Sequence, residues 1–294
     1  MTGTERPSLA RALLLASRPV SWINTAFPFA AVFLLTTGEV DLAFLVGTVF
    51  FLVPYNLAMY GINDVFDYAS DLANPRKGGV EGALLPPSQH RAVLIAVTVI
   101  TLPFVAVLVA LGGPASWLVL AVSLFAVVAY SAPGLRFKEI PFVDSVTSSA
   151  HFVTPGLYAA ALAGTDLTPG FVLLFAAFFL WGMASHAFGA VQDVMPDRDA
   201  GIASIATVLG ARWTVRIAAA LWLAAGALVL WLPWPGALAA ILCLPYVATA
   251  LPFVNVTDEQ SPVTNRGWRR FLVLNYACGF LATMLLIWWT ATAA

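Results

Sequence analysis

Charge is what this chain of 294 residues has least of, with 10% charged residues against 61% hydrophobic. With a mean hydropathy of +0.88, that scarcity excludes a soluble domain large enough to fold separately. Cysteine is also scarce, at two residues. Cys243 and Cys278 both fall in apolar runs, which argues against a disulfide framework and for two buried thiols. Short strands of alternating polarity are missing, so the apolar runs do not build a closed barrel. Basic residues are missing from every second connection between those runs.

The apolar sequence comes in lengths suited to a bilayer. About 20 apolar residues cross the hydrocarbon as a helix, and backbone groups there must bond within their own segment. Nine such segments are expected, at 20–37, 42–62, 91–111, 115–132, 143–163, 169–189, 213–232, 235–255 and 271–292. The expected fold is an all-α integral membrane protein of nine transmembrane helices, a single domain over residues 1–294. The first segment lacks a clear small-x-small cleavage site and is expected to remain a helix rather than a signal peptide. All 14 Lys and Arg residues lie before the first segment or around the connections after the second, fourth, sixth and eighth. Positive residues stay on the cytoplasmic side. The N-terminus is therefore expected in the cytoplasm and the C-terminus outside, in a multi-pass protein of the cell membrane with its longer loops cytoplasmic.

Those inner connections hold nearly all the polar chemistry. "NDVFDYASD", residues 63–71, places three carboxylates at the end of an oily run. At about 100° per residue, a helix gathers Asp64, Asp67 and Asp71 within an arc of about 60°, with Asn56 two turns earlier on nearly the same face. "QDVMPDRDA" follows the sixth segment and puts Asp193 and Asp197 on one face. The two phrases echo one another, too briefly to establish a duplication. Like charges four residues apart repel, so something positive belongs among them.

A lone Asp at a helix end is most simply solvated. Two acidic clusters on one membrane side favour a divalent cation, and hard oxygen ligands suit Mg²⁺ held by carboxylates and substrate phosphates. Arg76, Lys77, Arg136, Lys138 and Arg198 lie around the clusters. Singly each is a positive-inside anchor; with a metal they make a cradle for a diphosphate, planar Arg matching paired oxygens. Metal and cations on a diphosphate predict ionisation of a C–O bond. The carbocation left behind is stabilised by aromatic faces, for which Phe66, Tyr68 and Tyr130 are the candidates nearest in sequence. A cavity within the membrane would exclude water from it.

Other polar residues have plainer readings. His151 and His186, within segments five and six, are expected to make hydrogen bonds between helices. Asp144 is expected either to pair with Lys138 or to touch the site. Pro103, Pro155 and Pro245 are expected to kink their helices, and Glu81 to be solvated or part of a lid. A transporter would carry its ionisable residues near the midplane, whereas here they crowd the cytoplasmic border. The D-x-x-D-G-x-x-A-R string of phosphatidyl-alcohol transferases and the G-x-G-D element of intramembrane aspartyl proteases are absent from the sequence. No nucleic-acid partner is expected.

The pattern Asn63-Asp64-x-x-Asp67-x-x-x-Asp71 resembles the first aspartate-rich motif of the UbiA superfamily of membrane prenyltransferases, and Asp193-x-x-x-Asp197 resembles its second. "SRPVSWINTAFP" is similar to the family's opening Arg-Pro element, and "YSAPGLRFK" to its Tyr-Ser…Lys element. The longer phrases around both acidic segments resemble a narrower branch, the lycopene elongases of fifty-carbon carotenoid synthesis. The resemblance implies a UbiA-like bundle with Mg²⁺ on Asp64, Asp67, Asp193 and Asp197, and Asp71 nearby. It implies Asn56 and Asn63 as positioning groups, Arg76, Lys77, Arg136 and Lys138 as diphosphate ligands, and Tyr130 as cation stabiliser or proton relay. The partners it implies are an isoprenoid diphosphate donor, dimethylallyl diphosphate, and an apolar lipid acceptor, a linear carotenoid such as lycopene, within membrane lipid. Prenylation of a quinone precursor or another lipid is the alternative. One departure stands out: Pro196 precedes Asp197 and Asp199 follows it, where many relatives place the next acid further on.

Overall fold

The computed structural model describes residues 8–73 and 84–293, and among them the secondary structure is helical, with no strand. Local sequence sets the helix ends. The Ser8 hydroxyl accepts from the Arg11 N–H at the start of α1 (Leu9–Ala16), and α2 (Trp22–Thr37) stops at Gly38, whose φ of 69° suits glycine. Asp41 caps α3 (Leu42–Leu52) by accepting from the Phe44 N–H at 2.8 Å. Proline opens α4 (Pro54–Phe66), α6 (Pro87–Leu111), α7 (Pro114–Ser131) and α9 (Pro169–Ala190), where its missing N–H is not needed. The remaining helices are α5 (Tyr68–Ala73), α8 (Val143–Leu162), α10 (Val194–Asp199), α11 (Ile205–Val229), α12 (Leu244–Ala250) and α13 (Asn265–Ala293).

Eight stretches of the described residues are long and apolar enough to cross a membrane, and they take in eight of the nine expected segments. The exception is α8, a 20-residue helix that carries Asp144, Ser145, Thr147, Ser149, His151 and Thr154. All six are buried by protein, so the helix does not need an apolar surface of its own.

Three segments differ in shape from the simple helices expected. The second breaks at Val53, because Pro54 cannot donate into the ladder. The Thr25 hydroxyl donates to the Phe51 carbonyl there (2.7 Å), and the Asn56 amide to those of Phe51 and Leu52 (2.9 and 3.1 Å). The seventh begins at Ile205, so Arg212 and Arg216 lie inside α11 rather than in a loop, and Gly210 interrupts it (φ 76°, ψ 161°). The eighth is a 3-10 run (Gly236–Cys243) followed by α12 and a 3-10 turn (Leu251–Phe253). Pro235, Pro245 and Pro252 each remove a backbone donor from it. Pro103 and Pro155 sit inside α6 and α8, while Pro245 sits in the first turn of α12.

The chain divides into two compact units, residues up to Arg136 with Thr154–Ala163, and Phe137–Val153 with Gly164 onward. In the first, Phe29 packs against Phe51 and Tyr158, and Phe51 against Tyr55, with ring centroids 5.1 to 6.1 Å apart. Gly47 on α3 makes room for this cluster: a Cβ there would lie 2.0 Å from the Phe29 ring. Gly47→Ala is therefore expected to destabilise the protein by about 1–3 kcal/mol, the usual range for overpacking. The check is the thermal unfolding midpoint in detergent, and an unchanged midpoint would refute the packing argument. In the second unit, buried Trp222 packs against Phe188, Tyr246 and Phe271. Large apolar side chains face outward in both units, Leu118 and Phe125 in the first, Trp231 and Trp234 in the second. A surface of this kind suits lipid rather than water.

Candidate active site

The first acidic segment runs from the end of α4 through α5. The helix does not pass straight through it but breaks at Asp67 (φ −101°, ψ 1°). The bonds from Asp67 N–H to the Asn63 carbonyl and from Asp71 N–H to the Asp67 carbonyl preserve the one-turn spacing. Asp64, Asp67 and Asp71 are 1%, 4% and 7% exposed, and charges so buried require partners. Arg18, in the turn between α1 and α2, supplies one. Its Nη2 donates to Asp64 Oδ1 at 2.8 Å, and its guanidinium lies over the Tyr60 ring, 4.2 Å from the centroid. Arg136, beyond the end of α7, brings Nη2 to 3.7 Å from Asp67 Oδ1. The Asn63 amide donates both to Asp67 Oδ2 and to Ser131 Oγ, which fixes the carboxylate against α7.

Arg18 is the functional candidate that sequence reasoning missed as a site residue. Its signal was present in the Arg-Pro element and in the need for positive charge among the acids. Asn56 is fully buried and its amide also reaches Thr25 Oγ1 at 2.6 Å, so it shapes the break at Val53, about three turns before Asp64. Tyr130 and Phe66 are half-buried on α7 and α4. Tyr68 meets the His90 ring edge-on at 5.3 Å, and His90 Nε2 lies 2.8 Å from the Leu85 carbonyl. Arg76, Lys77 and Glu81 lie outside the described residues.

In the second unit Asp193 ends a 3-10 turn (Val191–Asp193) and precedes α10, which carries Asp197; both acids are half-buried. Gln192 anchors this turn, donating to the Gly189 carbonyl and accepting from Asn265 Nδ2. Lys138 is half-buried in the turn Phe137–Glu139. Arg198 donates to Asp258 Oδ2 at 2.6 Å and to the Thr207 carbonyl through Nε and Nη2 (3.0 and 2.8 Å). Burial works against ionisation of Asp258, yet the Ala211 N–H and the Arg198 guanidinium outweigh it and hold the carboxyl below the usual range. Asp144 is fully buried at the start of α8. It accepts from the N–H groups of Ser145 (2.6 Å) and Ile205 (2.7 Å) and faces His186 Nε2 at 3.7 Å. One carboxylate thus ties the starts of α8 and α11 to α9.

Among the described residues, no three His, Cys, Asp or Glu side chains converge as a metal cluster by themselves. The donor set nevertheless suits Mg²⁺: the groups are hard oxygens, and one or two carboxylates suffice where substrate phosphates complete the shell.

Fold and polar segments together define a multi-pass helical membrane protein with two acidic segments. The UbiA prenyltransferase family matches residues 25–275, and the chain belongs to that family. It is a membrane prenyltransferase. The chain is 56% identical over 283 residues to the C(50) beta-cyclic carotenoids biosynthesis protein LbtBC of Dietzia sp. (strain CQ4). That match covers 96% of this chain but 66% of the relative, so the chain spans just under two thirds of that protein's length. It is 53% identical over 277 residues to a lycopene elongase/hydratase of Corynebacterium glutamicum, covering 94% of this chain and 96% of the relative. The fold is similar to that of a UbiA homolog from Archaeoglobus fulgidus bound to DMAPP and Mg²⁺, with TM-score 0.64 and 17% identity, over 90% of this chain and 98% of that one.

Proposed function

We propose that this protein transfers prenyl groups from dimethylallyl diphosphate to the ends of lycopene, with Mg²⁺ as cofactor, in the synthesis of fifty-carbon carotenoids. The observation that carries the reading is the buried acidic segment at the end of α4, with Arg18 and Arg136 beside its carboxylates. The 53% identity to a lycopene elongase/hydratase supports the acceptor.

In this reading Asp64, Asp67, Asp193 and Asp197 hold Mg²⁺, with Asp71 close by. Bound there, Mg²⁺ supplies Lewis-acid stabilisation of the charge on the departing diphosphate. Arg76, Lys77, Arg136 and Lys138 bind the diphosphate oxygens, and Arg18 pairs with Asp64 and orients its carboxylate. Asn63 fixes the Asp67 carboxylate, and Asn56 holds the break from which α4 starts. The C–O bond of the donor breaks, and the allylic cation is stabilised by the faces of Tyr130, Phe66 and Tyr68. An end double bond of lycopene attacks it, and the charge moves to the acceptor. Loss of a proton or capture of water then quenches that charge. Apolar surroundings exclude water until attack is complete.

The whole chain acts as one transferase domain in the cell membrane, with N-terminus and active-site loops cytoplasmic and C-terminus outside; the distribution of Lys and Arg supports this orientation. In a host that makes lycopene, expression is expected to yield carotenoids longer by one and then two five-carbon units. If lycopene is untouched while a hydroxybenzoate or naphthoate is prenylated, the acceptor assignment fails and only the family-level activity stands.

A further inference from the structure

We propose that Asp258, in the connection before α13, is a positioning residue for the second acidic segment, acting through Arg198 and the break in α11. The proposal rests on the reading that Asp193 and Asp197 bind the metal.

The break at Gly210 is the starting point. In an unbroken helix the Ala211 N–H would bond the Thr207 carbonyl, four residues earlier. Here each of these two groups meets one half of an ion pair instead. The Ala211 N–H donates to Asp258 Oδ1 at 2.6 Å, and the Thr207 carbonyl accepts from Arg198 Nε and Nη2. Arg198 Nη1 and Asp258 Oδ2 close the circuit at 2.6 Å. The pair therefore replaces a missing helical hydrogen bond, a recognised way for a side chain to hold a kink.

Gly210 is part of the same device. Its φ of 76° is left-handed, and a Cβ there would lie 3.0 Å from Asp258 Oδ1. The chain between the helices turns back on the same residues. The Gly201 N–H bonds the Arg198 carbonyl (3.0 Å), and the Ile202 N–H bonds that of Asp197 (2.8 Å). The end of α10, where Asp197 sits, is thereby held against the kink of α11. An exposed ion pair alone stabilises little, and both partners are partly exposed here. The effect comes from two backbone groups that otherwise lose their partners.

The test uses the full chain in detergent with inorganic pyrophosphate, and reads Mn²⁺ affinity by electron paramagnetic resonance together with amide hydrogen exchange over 197–212. Asp258→Ala is expected to weaken Mn²⁺ binding about tenfold and to speed exchange in that segment at least about tenfold, with exchange in α2 and α6 unchanged. Arg198→Ala should do the same, and the double variant should be no worse than either alone, because both remove one device. Asp258→Glu should restore part of both effects. Faster exchange with unchanged Mn²⁺ affinity would overturn the positioning role and leave a purely structural clasp. Unchanged exchange would overturn the clasp itself. Additive losses in the double variant would place Arg198 on the ligand instead. Wild-type protein that binds Mn²⁺ but transfers no prenyl group would defeat the proposed reaction and leave the clasp standing.

Discussion

Replacing Asp67 by Asn is expected to lower prenyl transfer by about a hundredfold to a thousandfold while the protein stays folded. Lewis-acid stabilisation by a bound metal contributes several kcal/mol, and each 1.36 kcal/mol is about tenfold in rate. An Asn at this position still accepts from Asn63, so the local bonds to α7 survive. Asp193→Asn and Asp197→Asn should behave alike. Asp64→Asn should lose activity and stability together, because Arg18 would then lie 2.8 Å from a neutral group. Breaking a buried pair costs about 3–5 kcal/mol, and the 16% exposure of the Arg18 side chain puts the expected loss at or below the low end. Product formation and the unfolding midpoint, measured on the same preparations, separate the two effects. An Asp67→Asn protein with full activity would remove this carboxylate from the site.

Asp144→Ala is expected to have the largest effect on stability. The change leaves the Ile205 N–H at the start of α11 and the Ser145 N–H without their acceptor, and takes the facing carboxylate from His186. A buried donor left unsatisfied costs about 1–3 kcal/mol, so a loss of about 2–4 kcal/mol is expected. Asp144→Asn keeps an acceptor oxygen and should lose less. Because α11 begins just after the connection that follows Asp197, activity should fall with the midpoint. Wild-type stability in Asp144→Ala would contradict the account of how these helices are tied together.

Hydropathy made the apolar segments legible because crossing a bilayer demands length and apolarity together. It did not reveal their internal geometry. The break at Val53 and the 3-10 run Gly236–Cys243 depend on where proline removes a donor, and a window average is blind to that. It reads α8 least well, because the polar residues of that helix are buried by protein. The acids were legible because charge is scarce in this chain and two clusters of one sign need an explanation. Their partners were not. Arg18 and Asp64 are 46 positions apart, and Arg198 and Asp258 are 60 apart, so tertiary packing alone brings each pair together. Asp144 offered two readings in sequence, and its main backbone partner, Ile205, lies 61 positions away.

The central claim is metal-dependent prenyl transfer to lycopene. Its most direct test is mass analysis of the carotenoids formed when the purified protein, in lipid, is given dimethylallyl diphosphate and lycopene. The account predicts products heavier by one and two five-carbon units in Mg²⁺, none after chelation, and recovery when Mg²⁺ is restored. The same products formed at full rate in chelator, or unaltered lycopene in Mg²⁺ beside a prenylated quinone precursor, would contradict it.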